Sequence, residues 1–243
     1  MLVLAGELPS AAEQWLLSGL NGEAWPCTAP ERKAGPSGLK QPRLACSDDD
    51  TEQLVLMLGA STTALGAPHA LALRLLHCHL GVGMSSRLFV ALREEHGLAY
   101  DVGVHYPARL GDAPFVFHLS TSSERAAEAT HELLAEWQRL LDQAISAADL
   151  ELALAKFRGQ EALGRQTSSQ IADRHALVLG HGLPFDFADR SLRDAAELSP
   201  QQLLEAAREL LTQPSLSLCG PSAALQQAEA VWNAHSLSGG LRS

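Results

Sequence analysis

The sequence predicts an α+β fold, a two-layer sandwich in which helices pack on one face of a mixed, largely antiparallel sheet. Two strands are predicted at 99–107 and 113–121, and the short turn between them favours antiparallel pairing. A further strand is predicted at 53–60, and the longest helical stretches come after these strands. Strands adjacent through short turns, with helices grouped after them, indicate the two layers. We assign residues 1–243 to a single domain.

The first fifty residues are predicted to contain little regular structure. A short strand at 1–5 leads into a helix near 10–20. Residues 21–51 contain prolines, glycines and the run Asp48–Asp50, so we predict a long exposed connection within the domain. The three aspartates could attract a cation or a basic peptide, although a solvated loop is the simpler interpretation.

The middle of the chain alternates helices and strands. A helix at 68–80 ends at the glycines of 81–83, and a second, short amphipathic helix follows. The apolar residues of the short helix recur at helical spacing: Leu88, Phe89 and Leu92. Large apolar side chains alternate along the strand at 113–121, as is typical of a half-buried strand: Phe115, Phe117 and Leu119.

Helices and one strand complete the chain. Ser146 and Asp149 have the spacing of a capping box. The run Ser199–Gln202 combines a cap, a proline at the first helical position and a glutamine at the reciprocal position. In order, the predicted elements are helices at 124–144, 146–165 and 168–181, a helix from Pro200, and a strand at 215–219. We expect the serine- and glycine-rich tail after His235 to be frayed.

Composition limits the classes of function. The chain has 243 residues, 46% apolar and 19% charged, as is typical of a globular protein. Its net charge of −10 argues against nucleic acid or an anionic membrane as a partner. No apolar run approaches the ~20 residues of a membrane helix, and no secretory signal is visible. We therefore expect a cytoplasmic protein, unless a targeting segment lies upstream of Met1.

Several polar residues have simpler structural interpretations. The four cysteines are widely spaced, without a C-x-x-C pair, so we expect reduced thiols. His77 and His79 are two apart on a predicted helix and would point to different faces, so they are not expected to share a metal ion. Arg87 is expected to pair with a carboxylate inside the domain.

The segment Gly83–Tyr100 carries the strongest candidate site. Gly97 is placed to end the short helix in a left-handed conformation. Arg93 would then lie at the end of a rigid helix, with Tyr100 just beyond the turn. A guanidinium and a phenol held close together can both donate hydrogen bonds to a peptide carbonyl. The alternative is that Arg93 is a solvated charge and Tyr100 a sheet-packing residue, because Tyr100 alternates with the valines of the following strand.

The segment Gly83–Tyr100 resembles a signature of the pitrilysin/insulinase-like zinc peptidases, which include the mitochondrial processing peptidases. In their second, non-zinc half the signature reads Gly-Gly-Gly-x-Ser-Ser-Arg-Leu-Phe, then Arg-Glu and Gly-Leu-Ala-Tyr, and here Val82 replaces the middle glycine. Weaker matches extend the resemblance, in order, along almost the whole chain: Met1–Leu8, Glu52–Leu56, Glu151–Lys156 and Leu198–Gln202.

The resemblance implies a fold, a role and partners. The fold would be a LuxS/MPP-like metallohydrolase domain. Arg93 and Tyr100 match the arginine–tyrosine pair that reaches across the cavity of these proteases to the peptide substrate. This implies a substrate-binding half that closes a peptide cavity against a zinc-bearing N-terminal half or subunit, with the pair stabilising the scissile carbonyl.

The zinc ligands of this family are missing from the chain. The family uses His-x-x-Glu-His and a downstream glutamate, and neither this motif nor the inverse His-Glu-x-x-His occurs here. The nearest sequence is His131–Ala135, which follows the inverse order with alanine in place of the second histidine. The resemblance therefore implies that this chain binds no metal or other cofactor, that zinc belongs to the partner half, and that the chain alone is inactive. The alternative is a non-enzymatic structural or peptide-binding subunit, and a homodimer that mimics the missing half also stays open.

Overall fold

The computed structural model describes residues 3–20 and 41–239 and confirms the predicted α+β fold. Its strands are β1 (Leu44–Asp48), β2 (Gln53–Ser61), β3 (Asp101–His105), β4 (Pro114–Ser122) and β5 (Ser215–Gly220). Its α-helices are α1 (Ser10–Leu20), α2 (Ala70–Gly81), α3 (Ala126–Asp142), α4 (Ala147–Leu163), α5 (Ser168–Gly180), α6 (Phe187–Ala196), α7 (Pro200–Leu210) and α8 (Ser222–Ala234). Phe89–Glu95 is a π-helix, and Ser123–Arg125 and Ser236–Ser238 are single 3-10 turns.

The five strands form one mixed sheet in the order β1-β5-β2-β4-β3. β1 runs parallel to β5, and the other neighbouring pairs are antiparallel. The short connection between β3 and β4 makes them sheet neighbours, as predicted. The segment Gly83–Tyr100 therefore leads directly into β3, which is an edge strand.

Helices cover one face of this sheet. Along β2, the side chains of Leu54, Leu56 and Leu58 are fully buried, whereas the alternate residues Val55 and Met57 are exposed. The predicted alternation in β4 is confirmed, because its three large apolar residues are also buried. Among the described residues, the opposite face of the sheet is uncovered and partly apolar.

Trp137 of α3 lies at the centre of the interface between the layers. Its ring centroid is 4.7 Å from that of Phe117 and 6.3 Å from that of Phe115, in edge-on arrangements. Its indole N–H donates a 3.0 Å hydrogen bond to the Leu211 carbonyl at the end of α7. A buried indole needs such an acceptor, so this bond determines how α7 lies against α3.

The predicted helix caps form as expected at two positions, with one difference. Ser199 and Gln202 make the reciprocal bonds of a capping box at the start of α7. Ser146 accepts a bond from the Asp149 backbone N–H at the start of α4, but its hydroxyl donates to the Asp149 carboxylate. This hydroxyl contact is the main reason that the pKa of Asp149 is lowered.

Three predictions for the N-terminal region and the β3 start need correction. Residues 3–9 form no strand, and the sheet edge beside β5 is occupied by Leu44–Asp48. The predicted exposed connection at 21–51 is therefore wrong for 44–48, where β1 pairs with β5 but stays largely exposed, while residues 21–40 lie outside the described residues. β3 begins only at Asp101, after a bend at Tyr100.

Two helices were not predicted. α6 fully buries only the small side chains of Ala188, Ser191 and Ala195, with Leu192 partly buried against the core, so few large apolar residues mark it in the sequence. α8 buries Ala224, Ala228 and Trp232, which recur every four residues and offered a usable signal. In the part of the chain that the structure describes, no helix is long and apolar enough to cross a membrane.

A buried ion pair anchors the start of the Gly83–Tyr100 segment to α3. The Arg87 guanidinium donates two hydrogen bonds to Glu136, at 2.8 and 2.5 Å. Glu136 is only 7% exposed. These hydrogen bonds, more than the opposing effect of burial, raise the pKa of Arg87. The prediction that Arg87 pairs with a carboxylate inside the domain is thus confirmed.

Replacing Arg87 should destabilise the fold. Arg87→Ala removes a bidentate partner from a buried carboxylate, and we expect a loss of about 2–4 kcal/mol in the free energy of unfolding. Arg190 is a matched control, because its pair with Asp186 is solvent-exposed on both sides, and Arg190→Ala should cost no more than about 0.5 kcal/mol. Urea unfolding measures both, and equal losses would contradict the anchoring role of Arg87.

Candidate functional site

The short helix of the site is held close to β3 by its preceding glycines. A Cβ at Gly81 would lie 2.8 Å from the Val104 backbone nitrogen, so only glycine allows the end of α2 to approach β3 here. Gly83 then turns the chain with φ of +77°. The predicted amphipathic helix forms, but as a π-helix whose His96 N–H bonds back to the Ala91 carbonyl.

Gly97 ends this helix as predicted, with φ of +59°. Arg125 fastens the turn from outside, because one of its terminal nitrogens donates to the His96 carbonyl at 3.1 Å and to the Gly97 carbonyl at 2.9 Å. Glu128 holds the same guanidinium through two bonds of 3.0 and 2.7 Å. Arg125 is a site residue that sequence reasoning missed, since no local pattern connects positions 28 residues apart.

Arg93 and Tyr100 lie together, as the sequence predicted. A terminal nitrogen of Arg93 donates a 3.0 Å hydrogen bond to the Tyr100 backbone carbonyl. The guanidinium carbon is 4.8 Å from the Phe89 ring centroid and 5.2 Å from that of Tyr100, in cation–π contact with both. Two aromatic rings and a carbonyl therefore hold the guanidinium at the protein surface.

The structure rules out the interpretation of Tyr100 as a sheet-packing residue. Tyr100 is 81% exposed and lies in the bend before β3 rather than within it. The arrangement places a guanidinium and a phenol, both hydrogen-bond donors, at the protein surface.

The stretch His131–Ala135, which is the sequence most similar to a zinc motif, does not form a metal site. His131 is exposed, and its Nδ1 lies 3.1 Å from the Glu132 carboxylate, while His96 Nε2 lies 3.8 Å from the same side chain. Within residues 3–20 and 41–239, no group of three histidine, cysteine or acidic side chains is arranged to hold a metal ion. The residues present therefore do not fit the zinc of the peptidases that the sequence resembles.

The histidines of α2 have separate partners. His77 hydrogen-bonds the Val104 backbone, and His79 lies 4.0 Å from Asp149. Burial is the largest effect on both and lowers the pKa of each imidazole, so both are neutral at pH 7. Burial likewise raises the pKa of Cys78 between them to about 11, which keeps its thiol protonated. These side chains serve packing, as the sequence indicated.

The sequence of residues 2–157 matches the family described as the peptidase M16 inactive domain. The chain belongs to this family. The resemblance to the non-zinc half of pitrilysin-like peptidases is thereby confirmed. An uncharacterized zinc protease of Mycobacterium tuberculosis is 30% identical over 172 residues, which are 70% of this chain and 39% of that protein. One of Bacillus subtilis is 26% identical over 203 residues, 79% of this chain and 48% of that protein.

Solved structures share the fold of this M16 inactive domain. A peptidase M16 inactive domain from Pseudomonas fluorescens aligns with a TM-score of 0.75 at 20% identity, over 89% of this chain and 52% of that one. A chain in Complex III2 from Candida albicans aligns with a TM-score of 0.60 at 14% identity, over 77% of this chain and 49% of that one. The chain spans about two fifths to one half of the length of these relatives.

Gly97 should tolerate substitution poorly. Gly97→Ala places a Cβ on a residue with positive φ, and we expect it to cost about 1–2 kcal/mol of stability. Gly159 is the control, because it lies within α4 without a positive φ, and a Cβ added there would meet no neighbouring atom within 4 Å. Gly159→Ala should instead stabilise the protein by up to about 1 kcal/mol. Thermal melts compare the two, and an unchanged melting temperature for Gly97→Ala would contradict the helix-stop role.

The purified chain should bind no stoichiometric zinc. A catalytic zinc requires three protein ligands, and the described residues supply no such group. Elemental analysis after dialysis against micromolar zinc should give well under one zinc per chain, and His131→Ala should leave that value unchanged. One tightly held zinc that disappears in His131→Ala would show that the His131–Ala135 stretch is a metal site after all.

Proposed function

We propose that this M16 inactive domain is the non-catalytic, substrate-binding half of a zinc metalloendopeptidase. It closes a peptide cavity against a zinc-bearing half, which is either an N-terminal part of the same polypeptide or a separate subunit. The observation that supports this most is the exposed Tyr100 phenol beside the ordered Arg93 guanidinium. We also propose that residues 1–243 form a single domain.

The chemistry of the pair suits the binding of a peptide carbonyl. Arg93 has five N–H donors, and its hydrogen bond to the Tyr100 carbonyl within the described residues uses one of them. The remaining donors and the phenol can bind the oxygen of a scissile carbonyl as it gains negative charge. Donors held in place before the reaction need no reorganisation, which makes them effective for stabilising a transition state. Activation of water belongs to the zinc-bearing half.

The open face of the sheet supports the presence of a partner. A shallow groove on this face is lined mainly by apolar atoms, from residues including Met57, Gly59, Pro114 and Val116. Met57 is 49% exposed. Apolar surface that helices leave uncovered is typical of contact with another protein or with a peptide. We propose that this face looks into the peptide cavity.

The pair is tested in the enzyme assembled with its zinc-bearing half. Arg93→Ala and Tyr100→Phe should each lower kcat/KM for an unfolded peptide by about 10²–10³, because each removes one donor to the developing oxyanion. Zinc content and melting temperature should stay unchanged. Arg190→Ala, an exposed arginine in a surface pair on α6, is the control and should retain full turnover.

Two outcomes of this experiment would contradict the proposed function. Unchanged turnover in the Arg93→Ala/Tyr100→Phe double variant would show that the pair is not part of the substrate site. If no zinc-bearing partner supports hydrolysis but a peptide still binds, the alternative of a non-enzymatic structural or peptide-binding subunit gains support. We still predict a cytoplasmic location and no nucleic-acid partner. The homodimer also stays an open alternative.

A further inference from the structure

A second candidate site, a partly enclosed cleft, lies at the end of β3 that is remote from Tyr100. It is a cleft of about 150 Å³ whose polar walls are Arg74 of α2, Arg174 of α5 and Tyr106, just after β3. Apolar side chains that include Leu177 and Phe187 form the rest of its lining. The whole of β3 separates Tyr106 from Tyr100, a distance of roughly 15–20 Å, so the cleft is separate from the Arg93/Tyr100 site.

The cleft carries one positive charge that its own carboxylate does not balance. A single buried side chain, Glu161, pairs with both guanidiniums: one carboxylate oxygen lies 2.7 Å from Arg74, and the other contacts Arg174. Glu161 is 5% exposed. Burial lowers the pKa of Arg74, Glu161 opposes that shift, and the second guanidinium adds to it. Two like charges in a partly buried space favour a further anion.

One buried hydrogen-bond donor of this cleft has no acceptor among the described residues. Arg174 Nε is buried and has no hydrogen-bond partner among the described residues. A buried donor without an acceptor costs free energy, and one on a charged group costs more than a neutral one. Tyr106 adds a phenol that hydrogen-bonds the Thr62 side chain, and burial, the larger effect, raises its pKa, so the phenol stays protonated at neutral pH.

Another cleft, lined in part by His79 and Leu80 of α2, contains a similar arginine pair but has a different balance of charge. It is lined by Arg87 and Arg139, which share the buried Glu136 in the same way, but also by Asp149. The two guanidiniums there face two carboxylates, so no charge is left over. Of these two clefts, only the Arg74/Arg174 cleft has an excess positive charge among its described residues.

We propose that the Arg74/Arg174 cleft binds a carboxylate carried on a short aliphatic group. Arginine is a well-suited donor for a carboxylate, the Tyr106 hydroxyl can turn from Thr62 to the ligand, and the walls of Leu177 and Phe187 would contact its aliphatic part. A cavity of about 150 Å³ holds a molecule the size of benzene, so a group of about five or six non-hydrogen atoms fits. A small organic acid and a glutamate side chain of a peptide share this chemistry.

The test uses the ¹⁵N-labelled chain and propionate as the probe, with propionamide as its uncharged analogue. Propionate should cause saturable shifts of the amide signals of Ala108, Ala113 and Leu177, and propionamide should cause none. Arg174→Gln should weaken propionate binding by about tenfold or more, because a hydrogen bond to a charged group is lost. Arg139→Gln is the matched control, since Arg139 also shares a buried glutamate, and it should bind propionate normally.

Tyr106→Phe keeps both ion pairs with Glu161, so it tests the site even if Arg174→Gln unfolds. We expect it to weaken propionate binding severalfold. A titration with N-acetyl-glutamate methylamide, with its glutamine analogue as the control, separates the two sources of the carboxylate. Saturable binding of the glutamate compound indicates a peptide side chain. Saturable binding of propionate alone indicates a small organic acid. No saturable shift with propionate, or equal binding in folded Arg174→Gln, overturns the proposal, and neither outcome bears on turnover by the Arg93/Tyr100 pair.

Discussion

Burial of one face of the sheet is the constraint on which the other features of this domain depend. Along β2 and β4, every second side chain is buried and most of these are large and apolar, and Trp137 of α3 packs against the phenylalanines of β4. Removing this much apolar surface from water is the main favourable contribution to folding. Because the helices that bury it gather on that face, they leave the opposite face uncovered in the part of the chain that the structure describes.

The candidate site takes its rigidity from interactions outside the Arg93/Tyr100 pair. Arg87 anchors the start of the segment to α3 through Glu136, and Arg125 fastens its end at Gly97. The short π-helix between these anchors carries Arg93. The exposed side chain of Tyr100 follows the second anchor, and the Tyr100 carbonyl accepts a hydrogen bond from Arg93.

The distribution of charge separates two kinds of arginine in this protein. Arg87 and Arg139 share a buried glutamate in a cleft where a further carboxylate completes the balance, and they serve the fold. The Arg74/Arg174 cleft repeats this motif without the second carboxylate and leaves a buried donor unused among the residues that the structure describes. An M16 inactive domain without a zinc site in its described residues therefore still presents two places with the chemistry to bind an acceptor, one exposed and one partly enclosed.

The sequence by itself determined the fold class, the strand pairing of β3 with β4, the helix stop at Gly97 and the identity of the Arg93/Tyr100 pair. These features depend on local spacing: alternation, cap residues, positive φ and one continuous signature segment. Only the tertiary structure decided that Leu44–Asp48, and not residues 1–5, forms the edge strand, because its partner β5 is distant along the chain. It alone showed that Tyr100 is exposed, that Arg125 holds the turn, and that Arg74 and Arg174 meet at Glu161. Contacts between distant positions leave no periodic pattern in a single sequence, since each partner is chosen by the packing of the helices and not by its neighbours along the chain.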